Sequence, residues 1–326
     1  MRTRSAGQAV GAFSWGEFEI LRSVGRGATS VVYEAHDRRR RRRVALKIVH
    51  VSPDAAGRRV AARFLCGAGA AASVRHPHAV EVFRYGEAEG APFLAMERLG
   101  GGTLASVVRR EGRLPLGCAL DVLLPIASAV SAMHAAGVLH GDVKPSNILF
   151  EGPATLRAKL SDFGVSRPLA GSQALSEPSD VVGTPAYMAP ELVLFAGGAA
   201  TDRSDQYSLA VTVYECVTGR RPFSGGTAFD TLRAVVAGDV ALPSSVEPSL
   251  PPALDDAILR AMHPDPERRF GSVDDFARAL AALGHPASLQ DPRQSELRVR
   301  AASRASTMPP PPESQFRSLG VPTRTE

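Results

Sequence analysis

At 326 residues, with 44% apolar and 22% charged side chains, the chain has the composition of a folded protein of about two compact units, which excludes a fibrous or wholly disordered one. Thirty-eight Lys+Arg against thirty-three Asp+Glu leave a net charge of +5, too small an excess to imply nucleic-acid binding by itself. Three scattered cysteines, Cys66, Cys118 and Cys216, form no CxxC pair, so neither a disulfide framework nor a thiolate zinc site is supported, and a reducing cytoplasm fits best.

Residues 1–14 are rich in Gly, Ala, Ser and Arg without periodicity and read as a flexible N-terminus that lacks the apolar stretch of a secretory signal. Short apolar runs then predict strands at 18–24, 31–36, 44–51, 80–85 and 93–97, interrupted by one Ala/Arg-rich helix over about 57–74. From about 103 onward, apolar spacing of three and four predicts helices at 115–136, 203–218, 227–237, 252–262 and 273–283. The apolar run 120–139 is interrupted by Asp121, Pro125, Ser128, Ser131 and His134 and reads as short of a membrane span. Residues 284–326, with four consecutive prolines at 309–312, read as a disordered Pro/Ser/Arg-rich tail. The pattern is a strand-rich first lobe followed by a larger helix-rich one.

Four segments carry chemistry. In Val24-Gly25-Arg26-Gly27-Ala28-Thr29-Ser30-Val31-Val32, glycines let backbone N–H groups approach phosphate oxygens, since no Cβ intervenes. The turn runs into a second strand rather than a helix, which argues against a dinucleotide-binding Rossmann motif. Lys47, in Val44-Ala45-Leu46-Lys47-Ile48, alternates with apolar neighbours on a strand and could reach bound phosphates. The third segment is Leu139-His140-Gly141-Asp142-Val143-Lys144-Pro145-Ser146-Asn147-Ile148-Leu149. The fourth, Asp162-Phe163-Gly164, follows fifteen residues after Asn147, and Ala189-Pro190-Glu191 closes the series.

Together these segments resemble the protein kinase family, in its serine/threonine branch and most closely the bacterial kinases. The resemblance runs from about 16 to 283 and implies an α+β bilobal fold over 15–283. Its N-lobe, about 15–98, would be a five-stranded antiparallel sheet with one helix; a hinge at 97–102 would lead to a mainly helical C-lobe at about 103–283. It implies transfer of the ATP γ-phosphate, with Mg²⁺, to serine or threonine of protein substrates. Asp142 matches the base that orients the substrate hydroxyl, Lys144 the lysine near the γ-phosphate, and Lys47 the lysine on the α/β-phosphates. Asn147 and Asp162 match the magnesium ligands, and Gly25 and Gly27 the phosphate-cradling turn. Val32, Ala45 and Leu149 match the apolar contacts to adenine, while Glu97 and Leu99, after the gatekeeper Met96, match the hinge. Asp205 resembles the residue that braces the catalytic loop, and Arg269 the partner of Glu191. No nucleic-acid or membrane partner is expected.

Two departures stand out. Counting back nine residues from His76-Pro77, where the family places the glutamate that holds the lysine, lands on Gly67, and no Asp or Glu occurs between Asp54 and Glu81. Lys47 is then expected either to lean toward Asp162 or to lose its aim at the phosphates, and a lost ion pair of about 1.4 to 4 kcal/mol implies turnover roughly 10- to 1,000-fold slower. Gly141 stands where most regulated kinases carry the arginine that receives an activation-segment phosphate, so activity is expected not to depend on phosphorylation of Ser172, Ser176 or Ser179. A pseudokinase scaffold is the alternative that the missing glutamate favours and the intact Asp142, Asn147 and Asp162 oppose; a small-molecule phosphotransferase is a more distant one. The run Arg38–Arg43 reads as a solvated hairpin turn rather than a docking patch, and Cys66 as a small buried thiol.

Overall fold

In the computed structural model the first hundred residues fold into one antiparallel sheet of six strands, in the order β1-β2-β3-β4-β6-β5. The strands are β1 (Phe13–Trp15), β2 (Phe18–Arg26), β3 (Ser30–Asp37), β4 (Arg42–Val49), β5 (Val82–Ala88) and β6 (Ala91–Met96). The structure describes residues 13–27, 29–152, 155–162, 185–194 and 200–283, with the backbone alone at 13 and 167–168. Residues 1–12 of the expected flexible start, most of the activation segment and the Pro-rich tail lie outside these.

The sheet corrects the expectation of five strands and of an N-terminus unstructured to residue 14. β1 doubles back on β2 through Gly16, pairing Phe13 with Ile20 and Trp15 with Phe18. Three residues are too few to show alternation in sequence, and what holds them is tertiary: the Trp15 ring lies edge-on to Phe93 at 5.5 Å and stacks on Phe18 at 6.3 Å. On β3 and β4 the alternation is regular. Val31, Tyr33, Ala35, Val44, Leu46 and Ile48 fill a small core of the first lobe. The intervening Val32 and Ala45 pack toward the main core, and Lys47, paired with Val32, lies on that same face.

Helix α1 (Ala55–Ser73) starts on Asp54, whose carboxylate accepts the Gly57 N–H at 2.7 Å, and runs through both Gly67 and Gly69. Helix propensity predicts about 1 kcal/mol lost at each glycine, and at 69 a Cβ would sit 3.1 Å from the Tyr85 hydroxyl, a tight contact that favours a small residue there. The buried set Gly57, Ala61, Phe64, Gly67, Ala68 and Ala71 has helical spacing. Cys66 falls off that stripe and is exposed, which corrects its reading as a buried thiol.

The second lobe is built on α2 (Leu104–Glu111), α3 (Leu116–Ala135), α4 (Pro190–Leu194), α5 (Asp202–Thr218), α6 (Ala228–Ala237), α7 (Pro243–Val246), α8 (Pro252–Ala261) and α9 (Val273–Leu283). Two short ladders, β7 (Val138–Leu139) with β10 (Arg167–Pro168) and β8 (Ile148–Phe150) with β9 (Ala158–Leu160), lie between α3 and α4 in the chain. Helix α3 is, against the sequence reading, long and apolar enough by length and composition to cross a membrane, with a mean hydropathy of 1.8. In this fold its apolar side chains, Ile126, Val130 and Met133 among them, are the core of the helical lobe, against α5 and α9. Helix α5 is buried almost all round and carries Ser204, Asp205, Gln206 and Thr212 into that core.

Of the six arginines, Arg38 to Arg41 form the turn and Arg42 and Arg43 begin β4, and most of them are engaged within the protein. Asp37 caps the turn by accepting the N–H groups of Arg39 and Arg40, each at 3.0 Å. Arg38 faces Glu19 at 3.9 Å, Arg39 faces Glu17 at 3.2 Å, and Arg43 binds Glu34 at 2.9 Å. The Arg42 guanidinium lies 3.3 Å above the centre of the Phe83 ring. Arg40 and Arg41 stand exposed at the tip.

Candidate active site

The roof of the cleft follows from strand register. Val32 on β3 is paired with Lys47 on β4, and Ala45 is two residues before Lys47, so all three share one face of the sheet. The glycine-rich turn joins β2 to β3 above them: Gly25 is paired with Val32, and the Gly27 N–H closes the turn on the Ser30 carbonyl at 2.8 Å.

The floor is the segment from His140 to Asn147, held from beneath by one buried carboxylate. Asp205 on α5 accepts the His140 N–H at 2.9 Å, the Gly141 N–H at 2.7 Å and the His134 Nε2–H at 2.8 Å. Burial alone pushes the Asp205 carboxyl up, but His134, with His140 and the Gly141 N–H, holds its pKa below the usual value. Gly141 takes φ +76°, a left-handed conformation that costs a side-chain-bearing residue roughly 1–2 kcal/mol, so the turn itself suits the glycine found there. His140 donates from Nε2 to the Ser161 carbonyl at 3.0 Å and accepts the Asp142 N–H on Nδ1 at 3.2 Å, a structural post under the loop.

Three predicted residues meet at Asp142. Its carboxylate takes the Lys144 ammonium at 2.6 Å and the Asn147 amide at 2.9 Å, and its carbonyl takes the same amide nitrogen at 2.8 Å. Both bonds of the Asn147 amide nitrogen therefore go to Asp142, which leaves its oxygen as the group available to a cation. Antiparallel pairing of Ile148 with Leu160 places Asn147 opposite Ser161, whose N–H and hydroxyl both donate to the Asn147 carbonyl, at 2.8 and 2.9 Å. Asp162 is the next residue. An amide oxygen and a carboxylate brought together this way are hard oxygen donors, the set that a magnesium ion prefers.

Lys47 Nζ bonds the Asp162 carboxylate, closing the cleft between residues 115 positions apart. Burial drives the Asp162 carboxyl up, and the Lys47 charge, with lesser help from His140 and Lys144, brings it below the usual value. Helix α1 presents no acid, and Gly67 is buried within it. Of the two expectations for Lys47, the lean toward Asp162 is thus the arrangement observed. Phe163, Gly164 and Thr184 lie outside the described residues.

At the hinge, the Glu97 N–H is spent on the Glu81 carbonyl at 2.9 Å, whereas the Glu97 carbonyl and the Leu99 N–H make no backbone hydrogen bond among the described residues. Lys159 holds the Glu97 carboxylate at 2.9 and 2.7 Å. Leu149 is the half-buried middle residue of β8, and Leu99 packs partly buried against the main core. Farther out, Arg269 grips Glu191 with two parallel bonds of 2.9 and 2.7 Å and is 2% exposed, the pairing that the family resemblance implies. Sequence reasoning passes over Lys159 and His134. Their partners stand 62 and 71 residues away, and no local pattern marks them.

Comparison with known proteins agrees with this geometry. The family model described as the protein kinase domain matches residues 18–286. The serine/threonine-protein kinase PknH of Mycobacterium tuberculosis is 36% identical over 302 residues, covering 92% of this chain and 46% of that protein. PknD of the same organism is 38% identical over 267 residues, covering 81% and 39%. This chain therefore spans less than half the length of these curated relatives. The crystal structure of the M. tuberculosis PknI kinase domain superposes with a TM-score of 0.65 at 27% identity, covering 86% of this chain and all of that one. The chain belongs to the protein kinase family, in its bacterial serine/threonine branch.

Proposed function

We propose that this chain transfers the γ-phosphate of ATP to serine or threonine hydroxyls of protein substrates. The observation that carries the reading is the convergence of Lys47, Asp142, Lys144, Asn147 and Asp162 on one cleft. Asp142 accepts the hydroxyl proton and holds the nucleophile in line. Lys144 neutralises charge next to it, and Lys47 does so on the nucleotide phosphates. The Glu97 carbonyl and the Leu99 N–H hold the adenine edge between Val32, Ala45 and Leu149, while Gly25 and Gly27 cover the phosphates. Asn147 and Asp162 would hold Mg²⁺, which supplies charge neutralisation on the β- and γ-phosphate oxygens when bound. Three free cysteines and the need for ATP make the cytoplasm the compartment we infer for this catalytic unit.

The test is purified protein with γ-labelled ATP, Mg²⁺ and a generic basic acceptor protein. Label on serine or threonine, lost on chelation, supports the reading; no transfer together with a clear thermal stabilisation by ATP would replace it with a nucleotide-binding scaffold.

Two departures yield further expectations. Without an α1 carboxylate, Lys47 has Asp162 as its anion, a group it must share with the metal. Turnover is accordingly low, and Gly67→Glu raises kcat about tenfold or more at unchanged acceptor KM, provided the variant keeps its melting temperature. If kcat stays flat in a well-folded Gly67→Glu protein, the missing glutamate is not what limits the rate. With Gly141 in place of an arginine, Ser176→Ala and Ser179→Ala each keep activity within tenfold of the parent chain, as measured by initial rates on dephosphorylated protein.

A further inference from the structure

Two neighbouring hinge side chains are tied to opposite halves of the molecule. Glu97 turns toward the second lobe, where Lys159 on β9 holds it at 2.9 and 2.7 Å. Arg98 turns the other way, its Nε 2.8 Å from Oε1 of Glu34 on β3 of the first lobe. Glu34 is 2% exposed, and its carboxylate is shared: Arg22 binds Oε2 through Nε and Nη2, both at 2.8 Å, and Arg43 binds Oε1 at 2.9 Å. Burial alone raises the Glu34 carboxyl, but the charge of Arg98, with the hydrogen bonds and charge of Arg22 and the bond from Arg43, holds it below its ordinary value.

Register places this cluster at the adenine end of the cleft. Arg22 is paired with Glu34, Glu34 with Ala45, and Ala45 with Met96, so one rung of the sheet leads from the cluster straight into the hinge. Two residues beyond Met96, Arg98 folds back onto that same rung. Phosphoryl transfer uses neither Glu34 nor Arg98, yet a fully buried carboxylate facing three guanidiniums is a costly arrangement unless it holds something in place.

We infer that Glu34 and Arg98 are positioning residues for nucleotide affinity. The pair locks the backbone between Met96 and Leu99 against the roof residue Ala45, at the spacing that the adenine edge requires. The inference rests on the reading of the Glu97 carbonyl and the Leu99 N–H as the adenine-binding groups.

Arg43 supplies the control, because it bonds the same Glu34 oxygen at nearly the same distance but belongs to the sheet rather than the hinge. Removing either arginine leaves Glu34 with two guanidinium partners, so neither variant strands a buried charge. Arg98→Met is expected to raise the ATP Kd and KM about five- to tenfold with kcat within about twofold, and Arg98→Lys to recover most of the loss. Arg43→Met leaves both constants within about twofold. Glu34→Gln reproduces the Arg98→Met effect, and the double variant adds nothing to it. Thermal melts of each variant report the fold separately. Equal shifts for Arg43→Met and Arg98→Met, or no shift for Arg98→Met, overturn the inference while leaving the kinase reading intact. A parent chain that binds no ATP overturns both.

Discussion

Asp142→Asn yields a folded, ATP-binding protein whose turnover falls about 10²- to 10⁴-fold, the usual worth of a positioned proton acceptor. Asparagine has the shape of aspartate, but only one of its two terminal atoms accepts a hydrogen bond. In the parent chain the Asp142 carboxylate serves both Lys144 and Asn147 while keeping lone pairs for a substrate hydroxyl. Both neighbours bond Oδ2, so the asparagine oxygen can keep them, but an NH2 then stands where Oδ1 was and has no lone pair or basicity to take the proton. Because Asp142 touches the acceptor side of the cleft rather than the hinge, nucleotide affinity is expected to stay within about threefold. Initial rates and a direct ATP titration on the same preparation check both halves. A variant with kcat within tenfold of the parent would remove Asp142 from the reacting groups.

The second large effect lies beneath the site. Asp205→Ala takes the one shared acceptor from three donors: the buried N–H of His140, the Gly141 N–H and the His134 ring N–H. Asp205 is 1% exposed, so the cost is that of breaking a buried charged network, about 3–5 kcal/mol. For a chain of this size that lowers the melting temperature by about 10 °C. Asp205→Asn keeps one acceptor and is expected to lose less. The sign of the pH dependence follows from the lowered Asp205 pKa. Its stabilisation is complete above the ordinary carboxyl value of 3.8 and fades as pH falls through the depressed one, so the variant's deficit persists across pH 5 to 8. Melting curves at those pH values, with hydrogen exchange at His140 and Gly141, measure it. An Asp205→Ala protein that melts within 2 °C of the parent would mean that the loop is held some other way.

Much of the fold and of the site is legible in the amino-acid order alone. The strands at 18–24, 31–36 and 93–97 and the five long helices appear within a few residues of their expected positions, because each carries its own alternation or three-and-four spacing. The cluster at Asp142 is legible for a similar reason: Asp142, Lys144 and Asn147, which the structure brings into contact, lie within one short segment of the chain. What the order of residues does not show is short or non-local. β1 is three residues held by Trp15 on Phe93, and α2 is eight residues starting on Thr103, whose side chain caps the Ser106 N–H at 3.1 Å. Cys66 misses the buried stripe by its angular position on α1, which depends on where the stripe begins.

The sequence by itself determined which chemical groups the cleft can hold and which one it lacks, since no packing can supply α1 with a carboxylate that its residues do not contain. It also determined the division into a strand-rich and a helical lobe, because hydrophobic period is a local property. Only the tertiary structure decided the partners that the family resemblance does not supply. His134 meets Asp205, Lys159 meets Glu97, Arg98 meets Glu34, and the arginine run meets Glu17, Glu19, Glu34 and Phe83. Charge pairs act over a few ångströms, and which charges come that close is set by how sheet and helices pack, a relation that no stretch of sequence between them records.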